Sequence, residues 1–293
     1  MQAFYSLYFH STRKKLNFIT KNILSEVIKN RQPNTHKYNY GSVLIVGGNK
    51  NYGGAIIMSA QAAVNSGAGL VTVACDPINL SSLHSVLPEA VFQDFNDLKS
   101  LKSMILKSNV ISVGSGLGTT KNSLRILKAI FEVIGNKQVL IIDGSAFEIL
   151  HENTLLLPDV PIILTPHQGE WEKYSGLPVA QQIEKNNKKI ISELGKIPPI
   201  LVLKKHRTEI YYEDEVWQNQ SGNAGMATAG MGDTLAGMIA GFCAQFPDLL
   251  EATKAAVFLH GFIGDELAKK RYVITPSEIV NQIPLEMKFY SNS

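Results

Sequence analysis

Cysteine is scarce in this chain, and its scarcity excludes two kinds of architecture. Only Cys75 and Cys243 occur among 293 residues, and both lie in apolar stretches. Small secreted domains rely on several paired cysteines, and two cysteines alone are too few for a structural zinc site. We therefore predict two reduced core cysteines in a cytoplasmic protein, without a disulfide framework.

Long hydrophobic runs are absent as well. No uninterrupted apolar stretch reaches the roughly 18 residues that a transmembrane helix requires, so we predict no membrane partner. Hydrophobic residues nevertheless make up 45% of the chain and charged residues only 18%. This balance is typical of a globular α/β protein with a large core.

The few charges are unevenly placed. Residues 1–31 carry six basic side chains against Glu26 alone, a local charge of +5, which leaves −2 for the rest of a chain whose net charge is +3. A slightly acidic body argues against a nucleic-acid partner. The basic segment lacks the apolar core and cleavage site of a signal peptide. We predict a basic arm over residues 1–35, with Ile19, Ile23, Val27 and Ile28 on a helix, and one domain over 36–293.

Segments of strand length alternate with helical periodicity along the chain. Strands are predicted at 42–46, 70–74, 110–113, 139–142, 162–164 and 200–203, with an antiparallel pair at 210–212 and 216–218. Helices are predicted at 55–66, 98–107, 121–134, 181–194, 251–270 and 277–282. This alternation predicts an α/β fold, a doubly wound and mostly parallel sheet between helices with a small antiparallel edge. Residues 76–97 show no regular pattern.

The most informative stretch is glycine-rich and spans residues 223–241. Gly230, Met231 and Gly232 precede Asp233, from which a helical pattern starts. Free backbone N–H groups and the positive end of the helix dipole make such a start an anion-binding site, and a carboxylate there can act as a base beside a phosphate. Asp233 could instead be only a helix cap, and the glycines further along the helix could serve only close packing.

Further candidate residues follow other predicted strands. Gly53 and Gly54 precede Ala55, three glycines occupy residues 114–118, Asp143 ends a strand, and His167 lies in a turn after another. The carboxyl ends of parallel strands form the ligand side of an open α/β sheet. Each of these features could instead be only a tight turn or a helix cap. For Asp143, a ligand-binding role and a structural role are evenly matched.

Six motifs in one order resemble the ADP/ATP-dependent NAD(P)H-hydrate dehydratases, a ribokinase-like family. They are HKxxxG at 36–41, YGGA at 52–55, GSGLG at 114–118, TPHxGE at 165–170, LK at 203–204 and NxGMATxGxGD at 223–233. The resemblance covers nearly the whole chain beyond the basic arm. It implies a ribokinase-like catalytic domain over 36–293. It also implies a stand-alone enzyme, because residues 1–35 are too short for the epimerase to which the family is sometimes fused.

The resemblance implies that hydrated NADH or NADPH is restored to the normal cofactor at the expense of ADP or ATP. The C6 hydroxyl of the hydrate would be phosphorylated, and phosphate would then be eliminated. Asp233 would be the catalytic base, and Gly230, Met231 and Gly232 would form the anion hole. Ala55, Gly116, His167 and Asp233 would contact the hydrated dinucleotide. The nucleotide-binding residues would be Lys204, Lys205, His206, Arg207, Thr208 and Gly232. Mg²⁺ would bridge phosphates, with ligands that the sequence does not name.

The chain departs from the family pattern at four positions. Lys205 stands where glycine usually follows Leu-Lys, so the nucleotide-binding turn is expected to have another shape. Ser145 stands where similar sequences often place a second acid, which weakens a metal role there. Tyr38 replaces a common glycine, and Met231 replaces a small or hydroxyl residue.

Two other functions stay open at this stage. One is a ribokinase-like kinase for a small alcohol, which would use the same Asp233 but release a stable phosphorylated product. The other is a catalytically silent nucleotide-binding protein. We also expect a homo-oligomer, with the helices at 55–66 and 251–270 as candidate interfaces.

Overall fold

The computed structural model describes residues 17–291. The predictions about Arg13, Lys14 and Lys15 of the basic arm lie outside this range. Among the described residues, no helix has both the length and the apolar character needed to cross a membrane.

One ten-stranded sheet runs through residues 17–291 in the order β1-β10-β9-β8-β7-β6-β5-β2-β3-β4. The strands are β1 Asn17–Ile19, β2 Ser42–Val46, β3 Leu70–Cys75, β4 Val91–Asp94, β5 Val110–Val113, β6 Val139–Ile142, β7 Ile162–Leu164, β8 Ile200–Leu203, β9 Glu209–Tyr212 and β10 Glu215–Asn219. The neighbouring strands β8-β7-β6-β5-β2-β3-β4 pair in parallel, whereas β9 pairs antiparallel with both β8 and β10. The predicted parallel sheet with an antiparallel edge is confirmed.

Helices cover both faces of the sheet. They are α1 Asn22–Val27, α2 Gly53–Asn65, α3 Leu80–Val86, α4 Leu98–Lys107, α5 Lys121–Val133, α6 Ala146–Glu152, α7 Gln168–Ser175, α8 Glu184–Glu193, α9 Met231–Gln245, α10 Leu249–Ala268 and α11 Pro276–Ser291. Side chains alternate along each strand, so β2 serves two cores. Val43 and Ile45 pack with α2, α9 and α10, while Leu44 and Val46 pack with α4, α5 and α6.

Three predictions about elements were wrong. Residues 17–28 form the short strand β1 and the short helix α1 rather than one helix. Residues 76–97, predicted to be irregular, contain α3 and β4. The last helix, predicted over 277–282, continues past Pro284 to Ser291. Pro284 lies inside this helix, and the turns after it still pack on the core through Met287 and Tyr290.

Two glycines of α9 have a packing role. A Cβ at Gly237 would lie 2.0 Å from the Ser59 carbonyl oxygen, and one at Gly241 would lie 2.7 Å from the Ser66 Cβ. Hence α9 and α2 touch nearly backbone to backbone. The packing interpretation holds for Gly237 and Gly241. This contact orients α9, whose first turn carries Asp233.

The helices predicted as oligomer interfaces are largely buried inside the chain. Residues 55–66 are all buried or half-buried, as are residues 249–265. Their buried apolar side chains pack on the sheet, α9 and α11, so only half-buried side chains of residues 55–66 and 249–265 could contact a second copy.

Candidate functional site

The loops after β2 and β5 meet where the strand order reverses. The chain proceeds outward from β2 to β3 and β4, and then returns to place β5 on the other side of β2. The Gly48 and Asn49 amides donate to the carbonyl oxygens of Ser115 and Gly116, at 2.9 and 2.8 Å. Such a switch point is the usual ligand crevice of an open α/β sheet.

Gly116 and Ala55 lie together at this crevice. Gly116 has φ of +64°, and a Cβ on it would stand 2.4 Å from the Tyr52 carbonyl oxygen and 3.1 Å from the Ala55 Cβ. Only glycine fits this turn without strain. The predicted pair of substrate-contacting residues is therefore brought into one place.

Ser145 anchors the same glycine-rich loop. Its hydroxyl donates to the Gly114 carbonyl oxygen at 3.0 Å and accepts from the Gly118 amide at 2.8 Å. The residue that departs from the family pattern thus holds the 114–118 loop to the end of β6, a role that a carboxylate could not fill as a donor.

A buried ion pair stands at the centre of the carboxyl edge. Lys204 Nζ lies 2.8 Å from Asp143 Oδ1, and Asp143 is only 2% exposed. Asp143 also accepts hydrogen bonds from Thr165 at 2.7 Å and from Ser115 at 3.4 Å. Sequence reasoning missed Thr165 and Ser115 as partners. The sequence feature that could have identified them is their position at the ends of β7 and β5.

Three carboxylates surround the Lys204 ammonium. Burial by itself lowers the pKa of Lys204, but the charges of Asp143, Glu170 and Asp233 outweigh it and raise that pKa. Lys204 is therefore a permanent cation at neutral pH. Burial also raises the pKa of Glu170, with the charge of Asp143 adding to the shift and that of Lys204 opposing it.

Asp233 lies in the first turn of α9, as predicted. Burial, reinforced by the charge of Asp143, raises the pKa of Asp233 to about 6, while a hydrogen bond from Ser115 and the charge of Lys204 act against this rise. A carboxylate with such a pKa is ionised at neutral pH and is a better proton acceptor than an ordinary aspartate. The geometry suits a general base.

The predicted anion hole forms the start of α9. Gly230 has φ of +92° and precedes the helix, and a Cβ at Gly232 would lie 3.1 Å from Lys204 Nζ. The free N–H groups of this first turn and the Lys204 ammonium therefore converge on one space. Met231 is 8% exposed and packs in the core, so it can contribute only its backbone.

His167 caps α7. Its Nδ1 accepts from the amides of Gly169 and Glu170 at 3.0 and 3.1 Å, and its own amide donates to Glu170 Oε2 at 2.7 Å. A single backbone bridge pairs His167 with Lys204. The His167 side chain is 60% exposed, so a substrate could still reach it. Its contact with the substrate stays a prediction.

A cavity of about 430 Å³ collects the predicted nucleotide-binding residues. Its lining contains all six of them: Lys204, Lys205, His206, Arg207, Thr208 and Gly232. The remaining wall includes residues from 219–226 and from α10. The glycine-rich motif already contained residues 223–226, whereas sequence reasoning assigned no residue of α10 to the site. Asp265 of α10 holds this wall, because its carboxylate accepts from Gly222 and Asn223, both at 2.9 Å.

Lys205 is turned toward a carboxylate. Its Nζ lies 2.7 Å from Glu209 Oε2, which also accepts from the Tyr211 hydroxyl. Arg207 adopts a left-handed φ of +62° and donates to the Gln220 carbonyl oxygen. The turn is thus held by side-chain contacts of Lys205 and Arg207.

A larger cavity, of about 740 Å³, lies at the opposite edge of the sheet. It is lined by Arg31, Tyr40, Gln245 and neighbouring residues, and none of the described residues that line it is acidic. It therefore offers no base for catalysis, and we place the chemistry at the carboxyl edge.

The described residues do not form a metal site by themselves. No group of three or more His, Cys, Asp or Glu side chains within residues 17–291 stands close enough to hold a metal ion. The acidic groups at the carboxyl edge are instead arranged around the Lys204 ammonium.

Comparisons with known proteins define the class and then the family. The chain matches, at 43% identity and a TM-score of 0.91, a ribokinase-like protein of Enterococcus faecalis, covering 99% of this chain and 100% of the other. The fold is thus ribokinase-like. Residues 43–285 match the family model described as NAD(P)H-hydrate dehydratase, and the chain belongs to that family. The family resemblance predicted from the six motifs is confirmed.

Two relatives bear names that state a substrate. The chain is 45% identical over 273 residues to the ADP-dependent (S)-NAD(P)H-hydrate dehydratase of Lactiplantibacillus plantarum, covering 93% of this chain and 97% of the relative. It is 26% identical to the ADP/ATP-dependent NAD(P)H-hydrate dehydratase of Bacillus subtilis, with a TM-score of 0.84 and coverage of 94% and 99%. The latter was crystallised with ATP and Mg²⁺.

Proposed function

We propose that this chain dehydrates hydrated NADH and NADPH, with ADP as the phosphoryl donor, and so restores the nicotinamide cofactors. The observation that carries the proposal is Asp233, a half-buried carboxylate in the first turn of α9 beside the Lys204 ammonium. Membership of the family supports the substrate, and the names of the curated relatives support ADP over ATP.

Each residue of the site has a role in this reaction. Asp233 accepts the proton of the C6 hydroxyl as that oxygen attacks the terminal phosphorus of ADP, and AMP leaves. The N–H groups around Gly232 and the Lys204 ammonium stabilise the negative charge that develops on the transferred phosphoryl group. The C6–O bond of the phosphorylated hydrate then breaks, phosphate departs with the electron pair, and loss of a ring proton restores the double bond.

Four finer points stay proposals. Mg²⁺ would arrive bound to the nucleotide phosphates, since the described side chains offer no metal site of their own. Ala55, Gly116 and His167 would contact the hydrated dinucleotide at the switch point between β2 and β5. Homo-oligomerisation would use the half-buried side chains of α2 and α10 or other surfaces of the chain. Sedimentation that gives only monomer at micromolar concentration would contradict it. A cytoplasmic location agrees with the two reduced cysteines.

Absorbance at 340 nm tests the proposal directly. Hydrated NADH plus Mg²⁺ is mixed with ADP or ATP and with the wild type, Asp233→Asn, or the exposed control Asp159→Asn. We expect a rise that requires nucleotide, is faster with ADP, and is lost only in Asp233→Asn. Nucleotide binding without any rise would favour the small-alcohol kinase or the silent binding protein, and a stable phosphorylated alcohol would identify the former.

A further inference from the structure

One buried polar atom in the wall of the nucleotide cavity has no partner. His260 of α10 is 9% exposed, and its Nε2 makes no hydrogen bond with any of the described residues. The hydroxyls of Ser59 and Ser66 share this condition, but these serines lie where α2 packs on α9 and do not line the cavity. Within residues 17–291, only His260 combines an unpaired buried atom with a place in the cavity wall.

Such an atom destabilises a folded protein unless something else satisfies it. Buried polar groups are nearly always hydrogen-bonded, and an orphan calls for a specific cause such as a ligand. A Cβ at Gly261 would lie 2.4 Å from the Ser221 hydroxyl, and one at Gly264 would lie 2.1 Å from the Met226 sulfur. Residues 221–226 therefore press directly on this side of α10.

The ring is neutral and close to the phosphate end of the cavity. Burial, and then the charge of Lys204, lower the pKa of His260 to about 4. A neutral imidazole keeps one N–H donor and one acceptor. The same Lys204 ammonium that lowers the pKa of His260 lies beside Gly232 at the start of α9. A nucleotide whose phosphates lie against this helix start would bring acceptor oxygens to the same end of the cavity.

We propose that His260 is a nucleotide-binding residue, whose Nε2–H donates to a phosphate oxygen of the bound adenine nucleotide. The inference rests on the proposed function, since it needs a nucleotide in this cavity. It explains why an apolar helix keeps a histidine without a protein partner. It also adds a contact from α10 to the predicted nucleotide-binding residues, none of which belongs to that helix.

The test separates binding from stability. ADP is titrated by calorimetry into the wild type, His260→Leu, His260→Gln and the exposed control His84→Gln, and the melting temperature of each ligand-free protein is measured. Because leucine removes the orphan, we expect His260→Leu to melt higher than the wild type but to bind ADP about 10- to 100-fold more weakly. Glutamine keeps a donor near Nε2 and should retain most of the affinity, and His84→Gln should match the wild type.

The outcomes distinguish this inference from the proposed function. If the wild type binds ADP and His260→Leu binds it equally well, the inference is overturned while the proposed function stands. If the wild type itself binds no ADP, the proposed function fails first. Should His260→Leu not fold, His260→Met provides the apolar comparison. Adenosine affinity should be unaffected by either apolar variant, and an equal loss with adenosine would overturn the phosphate contact.

Discussion

Lys204 Nζ lies 2.8 Å from Asp143 Oδ1, and this pair joins the ends of two strands that are not neighbours in the sheet. Between them β7 contributes Thr165, which donates to the same carboxylate. A buried pair of this kind is sensitive to the loss of one partner, because the remaining charge is left without compensation. The pair therefore ties the geometry of the phosphate-binding end to the integrity of the sheet edge.

Replacing Lys204 by methionine should cost both stability and activity. The variant leaves Asp143 buried and unpaired, so we expect about 3 kcal/mol less free energy of unfolding, together with loss of most activity. Urea denaturation and the 340 nm assay measure the two effects. The double variant Lys204→Met/Asp143→Asn should recover part of the stability but no activity. A double variant less stable than Lys204→Met would contradict the coupling.

Strand positions could be predicted from the sequence, but the partners of this pair could not. β5, β6, β7 and β8 are short, uniformly buried apolar runs, and their predicted bounds agree with the structure. In contrast, β4 is an edge strand whose Val91 is 46% exposed, so its sequence carries no buried run. Asp143 and Lys204 are 61 residues apart, and only the order of strands in the sheet brings them together.

The same limit applies to the nucleotide cavity. The motifs identified its wall at 204–208, where the residues are contiguous in sequence. From α10, His260 lines the cavity and Asp265 holds Gly222 and Asn223, and both are polar residues in a helix of mainly apolar character. These polar residues in an apolar helix were the available sequence feature. Helical periodicity alone does not distinguish a residue that faces a ligand from one that is hydrogen-bonded within the core.

Asp233→Asn should separate turnover from binding. Removal of a general base lowers rate by about 10²- to 10⁴-fold, while the anion hole and Lys204 remain. We expect kcat to fall by this factor and the ADP dissociation constant, measured by calorimetry, to change less than threefold, about 0.6 kcal/mol. A loss of ADP affinity as large as the loss of rate would mean that Asp233 mainly shapes the nucleotide site.

Asp233→Asn should also make the protein more stable at neutral pH. The pKa of Asp233 is about 6 in the folded chain against an ordinary 3.8, so the folded state binds this proton more tightly than the unfolded state does. The stability that this bound proton contributes is full below pH 3.8 and is lost as pH rises through 6. Asparagine is uncharged throughout, so the variant should gain about 1–3 kcal/mol at pH 7 relative to the wild type. The gain should disappear between pH 6 and 4 in denaturation series. A constant difference over that range would contradict the raised pKa.

The pH dependence of kcat/KM should reveal the influence of Asp143 on the base. Since Asp233 must be ionised to accept a proton, we expect an acid limb near pH 6 in the wild type. The Asp143 charge raises the pKa of Asp233, and Asp143→Asn removes that charge. The substitution also leaves fewer carboxylates to share the Lys204 ammonium with Asp233. Both changes lower that pKa, so whatever activity remains should have its acid limb at lower pH. An unshifted limb would mean that another group sets it.

Gly116→Ala should damage the substrate site and leave the nucleotide site intact. The added methyl group would lie 2.4 Å from the Tyr52 carbonyl oxygen, and the residue would keep a φ of +64° that only glycine adopts freely. We expect about 1–3 kcal/mol of destabilisation and a raised KM for hydrated NADH, with ADP affinity unchanged. Gly54→Ala is the matched control for stability, because a Cβ at Gly54 meets nothing within 4 Å and alanine favours the start of α2. If Gly116→Ala weakened ADP binding as much as it raised the KM for the hydrate, the two sites would not be divided between the β2–β5 crevice and the cavity beside α10.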